Sequence, residues 1–384
     1  MASLRVLVAP DKFRGTLTAP QAAAAMAAGW RRARPGDDPE EAPMADGGEG
    51  TLDALLAALG GERHRARVTG PLGDPVEADY GVAPGPGGCV AVIEMARASG
   101  LALVPEARRD PLRATTRGTG ELIRAALRHG PAEVIVCLGG SATNDGGAGM
   151  AQALGVRLLD AEGRELGPGG AALLRLARVD ATGLDRAARR VRFLAATDVD
   201  NPLVGPAGAS VVYGPQKGAR PEDVVLLDRA LAHYASVLHR DLGIDVRELP
   251  GAGAAGGLGA GLVAFLGARV RPGVEVVMEA LGLGARVERS HLVLTGEGSL
   301  DPQSLRGKVV AGVLRTARAA GRPAVVLCGR AGVRPDGVPV RSLVERFGEE
   351  RAMGDARRAL EDLAAETAAD VGTERLPLGA AGDR

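Results

Sequence analysis

Apolar and polar positions along the chain switch between two periods, and the switches mark most of its elements. Leu4–Ala9, Val134–Leu138, Phe193–Thr197, His291–Thr295 and Ala324–Cys328 are short, almost wholly apolar runs. Such runs read as buried strands. Between them, helical spacing runs from Thr18 to about Ala33, Leu52 to Leu59, Glu121 to Arg128, Met150 to Leu154, Pro221 to about Leu242, Lys308 to about Ala320, and 355–369. Thr18, Pro20 and Gln21 form a capping-box start for the first helix. Gly60, Gly155 and Gly321 stand where helix C-termini want glycine. Residues 66–105 carry only short β-type runs (Val68–Thr69, Val76–Tyr80, Val90–Met95), the pattern of an antiparallel module. Residues 160–190 read as scaffold, and the tail after Gly372 as frayed. Strands alternating with helices predict an α/β fold with a parallel sheet.

The loops at the strand C-termini carry the chemistry. Val134–Leu138 runs into Gly139, Gly140, Ser141, Thr143, Asn144, Asp145, Gly146 and Gly147 before the next helix. A strand, a glycine-rich turn and a helix start form a ready anion cradle, because backbone N–H groups face the ligand and glycine admits close approach. A plain tight turn is the alternative. Leu4–Ala9 runs into Asp11, Lys12, Phe13 and Arg14; His291–Thr295 runs into Glu297, Ser299 and Asp301, then Lys308. Asp46, Gly47, Gly48 and Glu49 precede the Leu52–Leu59 helix, either as a Mg²⁺ or hydroxyl site or as a complement to the helix dipole. Asp198, Asp200 and Asn201 come after Phe193–Thr197, as metal ligands, a base or an Asx turn. Thr115 to Gly120 forms a second, weaker glycine turn. Gly251–Gly256 matches GxGxxG with Glu275 downstream, but Pro250 and the glycines at 257, 259 and 261 argue against a strand–turn–helix around a dinucleotide. His233 and His239 are read as surface or packing residues.

Composition narrows the field. The chain has 384 residues, enough for two domains or one large α/β domain. Its formal net charge is zero, so no global field steers it to nucleic acid or to an anionic membrane. Gly251–Ala268 is long and uncharged but glycine-loaded, which reads as a soluble segment rather than a span. The three cysteines, Cys89, Cys137 and Cys328, show no metal spacing and read as reduced thiols of a cytoplasmic protein. Arginine dominates the cations, leaving only Lys12, Lys217 and Lys308, and only Asn144 and Asn201 as asparagines; all five lie in Gly/Asp-rich segments. Lysine retained where arginine is otherwise used suggests a need for a compact point charge, the kind that meets phosphate. No loop carries a convincing catalytic His, a GxSxG elbow or a paired thiol, so phosphoryl transfer fits better than hydride or acyl transfer.

The residues then match a family. APDKFRGTLTA, MADGGEGTLDAL, TTRGTGELI, LGGSATNDGGAGMAQALG, ATDVDNPLVG, YGPQKGA, GAGAAGGLGAGL and LTGEGSLDPQSLRGK resemble, in order, type I glycerate kinases across essentially the whole chain. The resemblance implies a Rossmann-like parallel-sheet domain plus a second mixed α/β domain, with the active site in the cleft between them. It implies ATP- and Mg²⁺-dependent phosphorylation of D-glycerate to 2-phosphoglycerate in the cytoplasm. The other products left open are 3-phosphoglycerate or another phosphorylated hydroxy acid. The rival of another class is a nicotinamide-dependent dehydrogenase built on GAGAAG. The expected division is 1–66, 115–160 and 285–384 for the Rossmann-like domain, and 67–114 and 161–284 for the second. Gly139–Gly147, Glu297, Ser299 and Lys217 are expected at ATP, with Lys308 or Lys217 neutralising charge. Asp46 or Asp301 is expected to hold Mg²⁺, and Asp198 to act as base. Lys12 or Arg14 is expected at the glycerate carboxylate, with Gly47, Gly48, Glu49 and Asn201 near it. The expected partner is a small molecule, with room for a homodimer.

Three residues depart from the family pattern: Arg14 where Lys is common, His291 where Asp is common, and Val310 where Pro is common.

Overall fold

The computed structural model describes residues 3–85, 87–305 and 307–371. The segment after Gly372, expected to fray, lies outside them. The chain divides into two compact units. The first takes the chain up to Asp46, Asp53–Ala58, and the chain from Val274 onward; the second takes Gly47–Leu52 and Leu59–Gly273.

The first unit is a parallel sheet in the order Val340–Ser342, Ala324–Cys328, Leu292–Thr295, Arg5–Val8, Asp38–Glu41. Continuous apolar runs form its middle strands because both faces are covered. Val6, Val8, Leu292 and Leu294 are buried with Met26 and Trp30 of the helix Ala19–Ala33 and Leu360 of the helix Ala356–Asp370. Thr18 caps the first helix as its sequence predicts: its hydroxyl accepts from Gln21 N and its own N–H donates to Gln21 Oε1. The sheet order reverses between Arg5–Val8 and Leu292–Thr295, and in open α/β sheets ligands gather beyond the strand ends at that point.

The second unit is a six-stranded mixed sheet, Arg269–Pro272, Arg192–Thr197, Glu133–Cys137, Gly88–Glu94, Pro75–Gly85, Glu62–Thr69. The first four run parallel; the last three form the expected antiparallel module. Ile93, Leu122, Val134, Val136, Phe193, Tyr234 and Leu258 belong to its core.

The central strand sits elsewhere than the sequence suggests. Residues 115–160 are expected with the Rossmann-like part, yet Glu133–Cys137 pairs with Gly88–Glu94 and Arg192–Thr197, inside the second unit. Residues 47–52 and 59–66 also belong there, and the first unit resumes at Val274 rather than 285. An apolar run announces that a strand is buried but not which neighbours hydrogen-bond to it.

The Thr115–Gly120 stretch also differs from expectation. The helix after Thr115 starts at Arg117, so Gly118 and Gly120 lie inside it and pack against Thr69 and Met150 rather than facing a ligand. Residues 251–261 are buried throughout. Ala255, Gly256 and Gly257 adopt left-handed conformations within Ala254–Leu266. At Gly256 (φ +68°) a Cβ would overlap the Thr143 carbonyl oxygen. The GxGxxG segment backs another loop and does not open a dinucleotide site. No helix among the described residues is long and apolar enough to cross a membrane.

Candidate functional site

In the first unit, three adjacent parallel strands deliver carboxylates to one edge. Arg5–Val8 leads to Asp11 and Lys12, Asp38–Glu41 to Asp46, and Leu292–Thr295 to Glu297. The loops are tied by Asp11 N to Gly296 O (2.8 Å) and Met44 N to Pro10 O (2.9 Å). Lys12 Nζ lies 3.9 Å from Asp46 Oδ1. Asp11 is buried, and burial first, then the Asp46 carboxylate, pushes its carboxyl up to about 7; Glu297 adds to this and Lys12 opposes it. Burial also raises Glu297, with Asp301 and Asp46 adding to it and Ser304 and Lys308 opposing. Glu297 Oε1 is buried without a hydrogen-bond partner among the described residues.

The motifs assign Asp11 no role, although it stands beside Lys12 in the first of them. It yields a test. An acid whose pKa is higher in the folded chain binds its proton more tightly there, so its stabilising contribution is complete below about pH 4 and lost as pH rises to about 7. Asp11→Asn should therefore be stabilised relative to the parent at pH 8, and much less at pH 4. Urea midpoints in metal-free buffer at the two pH values check this, and an equal difference at both would contradict it.

Asp301 is directed to its own loop. Its Oδ1 accepts from Gln303 N (2.7 Å), Ser304 N (3.0 Å) and Ser304 Oγ (3.2 Å). These bonds, the Ser304 N–H foremost, hold its carboxyl below the usual range. Lys308 precedes the helix Val309–Ala319, with Nζ 3.4 Å from Gln303 Oε1. Arg14 and Ser299 are exposed, the latter on a two-residue strand paired with Arg330–Ala331.

In the second unit, adjacent parallel strands place Gly139–Ser141 and Asp198 at one sheet edge. They line a pocket of about 410 Å³ together with Gly47, Gly48, Tyr213, Gln216 and Lys217. The N–H groups of Gly139, Gly140 and Ser141 have no acceptor among the described residues. Successive unpaired N–H groups make an anion-binding concavity. Asp198 is exposed. The loop Gly47–Gly50 is held by Glu94, a buried carboxylate that accepts from Gly50 N and Leu52 N, both 2.9 Å, and from Arg97 Nε (2.7 Å). Glu94 carries no motif signal, because its loop partners are some 40 residues away. Glu49 is exposed and does not line the pocket.

The rest of the expected cradle lies behind that pocket. Asp145 is fully buried and accepts from Thr116 N (2.8 Å), Thr116 Oγ1 (2.9 Å), Gly147 N (3.1 Å) and Gly149 N (3.2 Å). Asn144 Nδ2 donates to Ser210 Oγ (2.9 Å), and Thr143 is buried against Ala255. Gly146 and Gly147 pack on Tyr234 and Gly261. The helix they open, Ala148–Ala153, has six residues, too short for a terminal anion site. Five residues expected at phosphate, Thr143 to Gly147, thus support the loop from within. Lys217 is buried too: Nζ donates to Thr143 O (2.7 Å), and burial pushes its pKa down to about 7 against the pull of Asp145. Asn201 accepts from Tyr213 OH (2.6 Å) and donates to Ala207 O (2.8 Å), so it positions the tyrosine that lines the pocket.

Residues 6–372 match the Glycerate kinase family. A glycerate kinase of Halalkalibacterium halodurans is 50% identical over 327 residues, 85% of this chain and 86% of that protein. A glycerate 2-kinase of Escherichia coli K12 is 48% identical, covering 85% of each. A crystal structure of a glycerate kinase 2 candidate from Salmonella typhimurium LT2 superposes with a TM-score of 0.88 at 45% identity, covering 96% of this chain and 98% of its own.

Proposed function

The chain belongs to the glycerate kinase family, and on that premise we propose that it transfers the terminal phosphoryl group of ATP to the 2-hydroxyl of D-glycerate. The observation that carries this reading is the run of three unpaired N–H groups beside an exposed carboxylate in one pocket. Phosphoryl transfer asks for little else: donors for the equatorial oxygens, a cation for developing charge, and an acceptor for the hydroxyl proton.

In this reading Gly139, Gly140 and Ser141 donate to the phosphoryl oxygens. Asp198 accepts the hydroxyl proton as the oxygen attacks. Lys308 neutralises charge on the transferring group, and Lys12 or Arg14 meets the glycerate carboxylate. Lys217 acts through Thr143, keeping the loop in place rather than touching phosphate.

The residues present fit Mg²⁺. Asp11, Asp46 and Glu297 repel one another, and the unpartnered Glu297 Oε1 offers a lone pair. No three carboxylate, His or Cys groups converge on a metal position among the described residues. A Mg²⁺–nucleotide needs only one or two carboxylates, the remainder being phosphate and water. Asp46, with Asp11 or Glu297, would hold it. Bound there, Mg²⁺ would supply charge neutralisation at the phosphates.

Pure protein with Mg²⁺-ATP, D-glycerate and enolase, without phosphoglycerate mutase, tests the proposal. Phosphoenolpyruvate is the expected result. ADP without phosphoenolpyruvate overturns the 2-position, and absence of ADP overturns the substrate. Lys308→Met should lower kcat by about 10²- to 10³-fold, the loss typical of one transition-state donor. Its unfolding midpoint should barely move, since the side chain is half-buried at a helix start. Equal loss of both would make Lys308 a structural residue.

A further inference from the structure

A second hollow, of about 480 Å³, lies in the same unit as the Gly139–Ser141 pocket. It shares no lining residue with that pocket. Three arginines line it: Arg108, Arg113 and Arg117. Arg108 pairs with Asp74 (3.2 Å) and Arg117 with Glu121 (3.3 Å), whereas Arg113 has no ion-pair partner among the described residues. The carboxylates in the lining are already engaged. Asp110 Oδ1 accepts from Leu112 N (3.1 Å), and Glu165 from Arg157 Nε (3.2 Å). The adjoining groove shares Thr69 and Gly73 with the hollow and adds Arg67, Arg124 and Arg128. A chain with no net charge thus concentrates six guanidinium groups along one connected depression. Guanidinium forks match carboxylate and phosphate oxygens two at a time. The volume is in the range of small-molecule sites and the depression is concave, which favours a small ligand over an extended polymer.

The floor of the hollow leads to the other loop. Thr115 and Arg117 line it, and Arg117 N donates to Thr115 Oγ1 (3.2 Å). The residue between them, Thr116, gives both its N–H and its hydroxyl to Asp145. Its Oγ1 also accepts from Met150 N (3.0 Å). A ligand held by Arg117 therefore acts one residue away from Thr116, the anchor of Gly139–Gly147, and one held by Arg113 three residues away.

We propose that this hollow is a second ligand site for a small oxyanion with two or more negative charges, and that its occupancy bears on the Gly139–Gly147 loop through Thr116. Arg113 and Arg117 have no place in the phosphoryl-transfer machinery. Lys308 does, and it serves as the control for the nucleotide position.

The experiment uses inorganic pyrophosphate as probe in metal-free buffer. Titration calorimetry would compare the parent chain, Arg113→Gln/Arg117→Gln, and Lys308→Met. The arginine pair should weaken pyrophosphate binding at least tenfold while Lys308→Met leaves it unchanged. Hydrogen exchange should show added protection across Gly139–Gly147 on pyrophosphate binding in the parent and in Lys308→Met, and none in the arginine double variant. Binding lost only in Lys308→Met would place pyrophosphate at the nucleotide position and overturn the site. Binding lost in the arginine variant without any loop protection in the parent would overturn the coupling. Both substitutions are at exposed positions, and an unchanged unfolding midpoint without ligand confirms that the double variant folds.

Discussion

Asp198→Asn should lower kcat by about 10²- to 10⁴-fold, the range lost when a general base is removed. The amide keeps the size and one acceptor oxygen of the carboxylate but cannot take the hydroxyl proton. Asp198 is exposed at a strand end and contributes nothing to a core, so the unfolding midpoint should stay where it is. KM for glycerate should change far less than kcat, because the substitution removes a proton acceptor while keeping the size and polarity of the side chain. Steady-state kinetics with the enolase coupling reads both constants. Near-normal kcat would exclude Asp198 as the base.

Asp145→Ala should act in the opposite way. The parent carboxylate satisfies four buried donors, from Thr116, Gly147 and Gly149. Alanine leaves them without an acceptor and leaves Lys217 without the nearby charge that favours its ammonium. Orphaned buried donors cost about 1–3 kcal/mol each and do not add fully. A net loss of about 3–5 kcal/mol is expected, of the size seen when one member of a buried charged network is removed. For a unit of this size that corresponds to a fall of roughly 10 °C in the unfolding midpoint. Differential scanning calorimetry reads it. A phosphate ligand would behave otherwise, with activity gone and the midpoint unmoved, and that outcome would return Asp145 to the site.

The contrast between these two aspartates shows where sequence reasoning stops. Both come after strands, and both stand in loops rich in glycine and polar residues. Asp198 lies one residue beyond its strand and stays exposed, whereas Asp145 is turned inward by Thr116, some 30 residues earlier. The same limit applies to the lysines. Their scarcity marks Lys12, Lys217 and Lys308 as special, and Lys12 and Lys308 do stand among the carboxylates Asp46, Glu297 and Asp301. Lys217 is special for another reason, as a buried strut to Thr143.

By itself the sequence determined the local elements and the family. Periodicity placed the five apolar strands and most of the long helices but not Asp38–Glu41 or Ala254–Leu266, Thr18 and Gln21 set a helix start, and eight motifs in order identified the relatives. These are short-range signals, written within a few residues, and backbone geometry reads them directly. Tertiary structure alone decided which sheet received Glu133–Cys137, which glycines line a pocket and which face Tyr234 or Ala254–Leu266, and that Asp11 and Glu94 are buried carboxylates tied to these loops. Those facts depend on which distant segment arrives alongside. Strand pairing, burial and the repulsion between neighbouring carboxylates exist only after the chain has folded, so no local pattern can carry them.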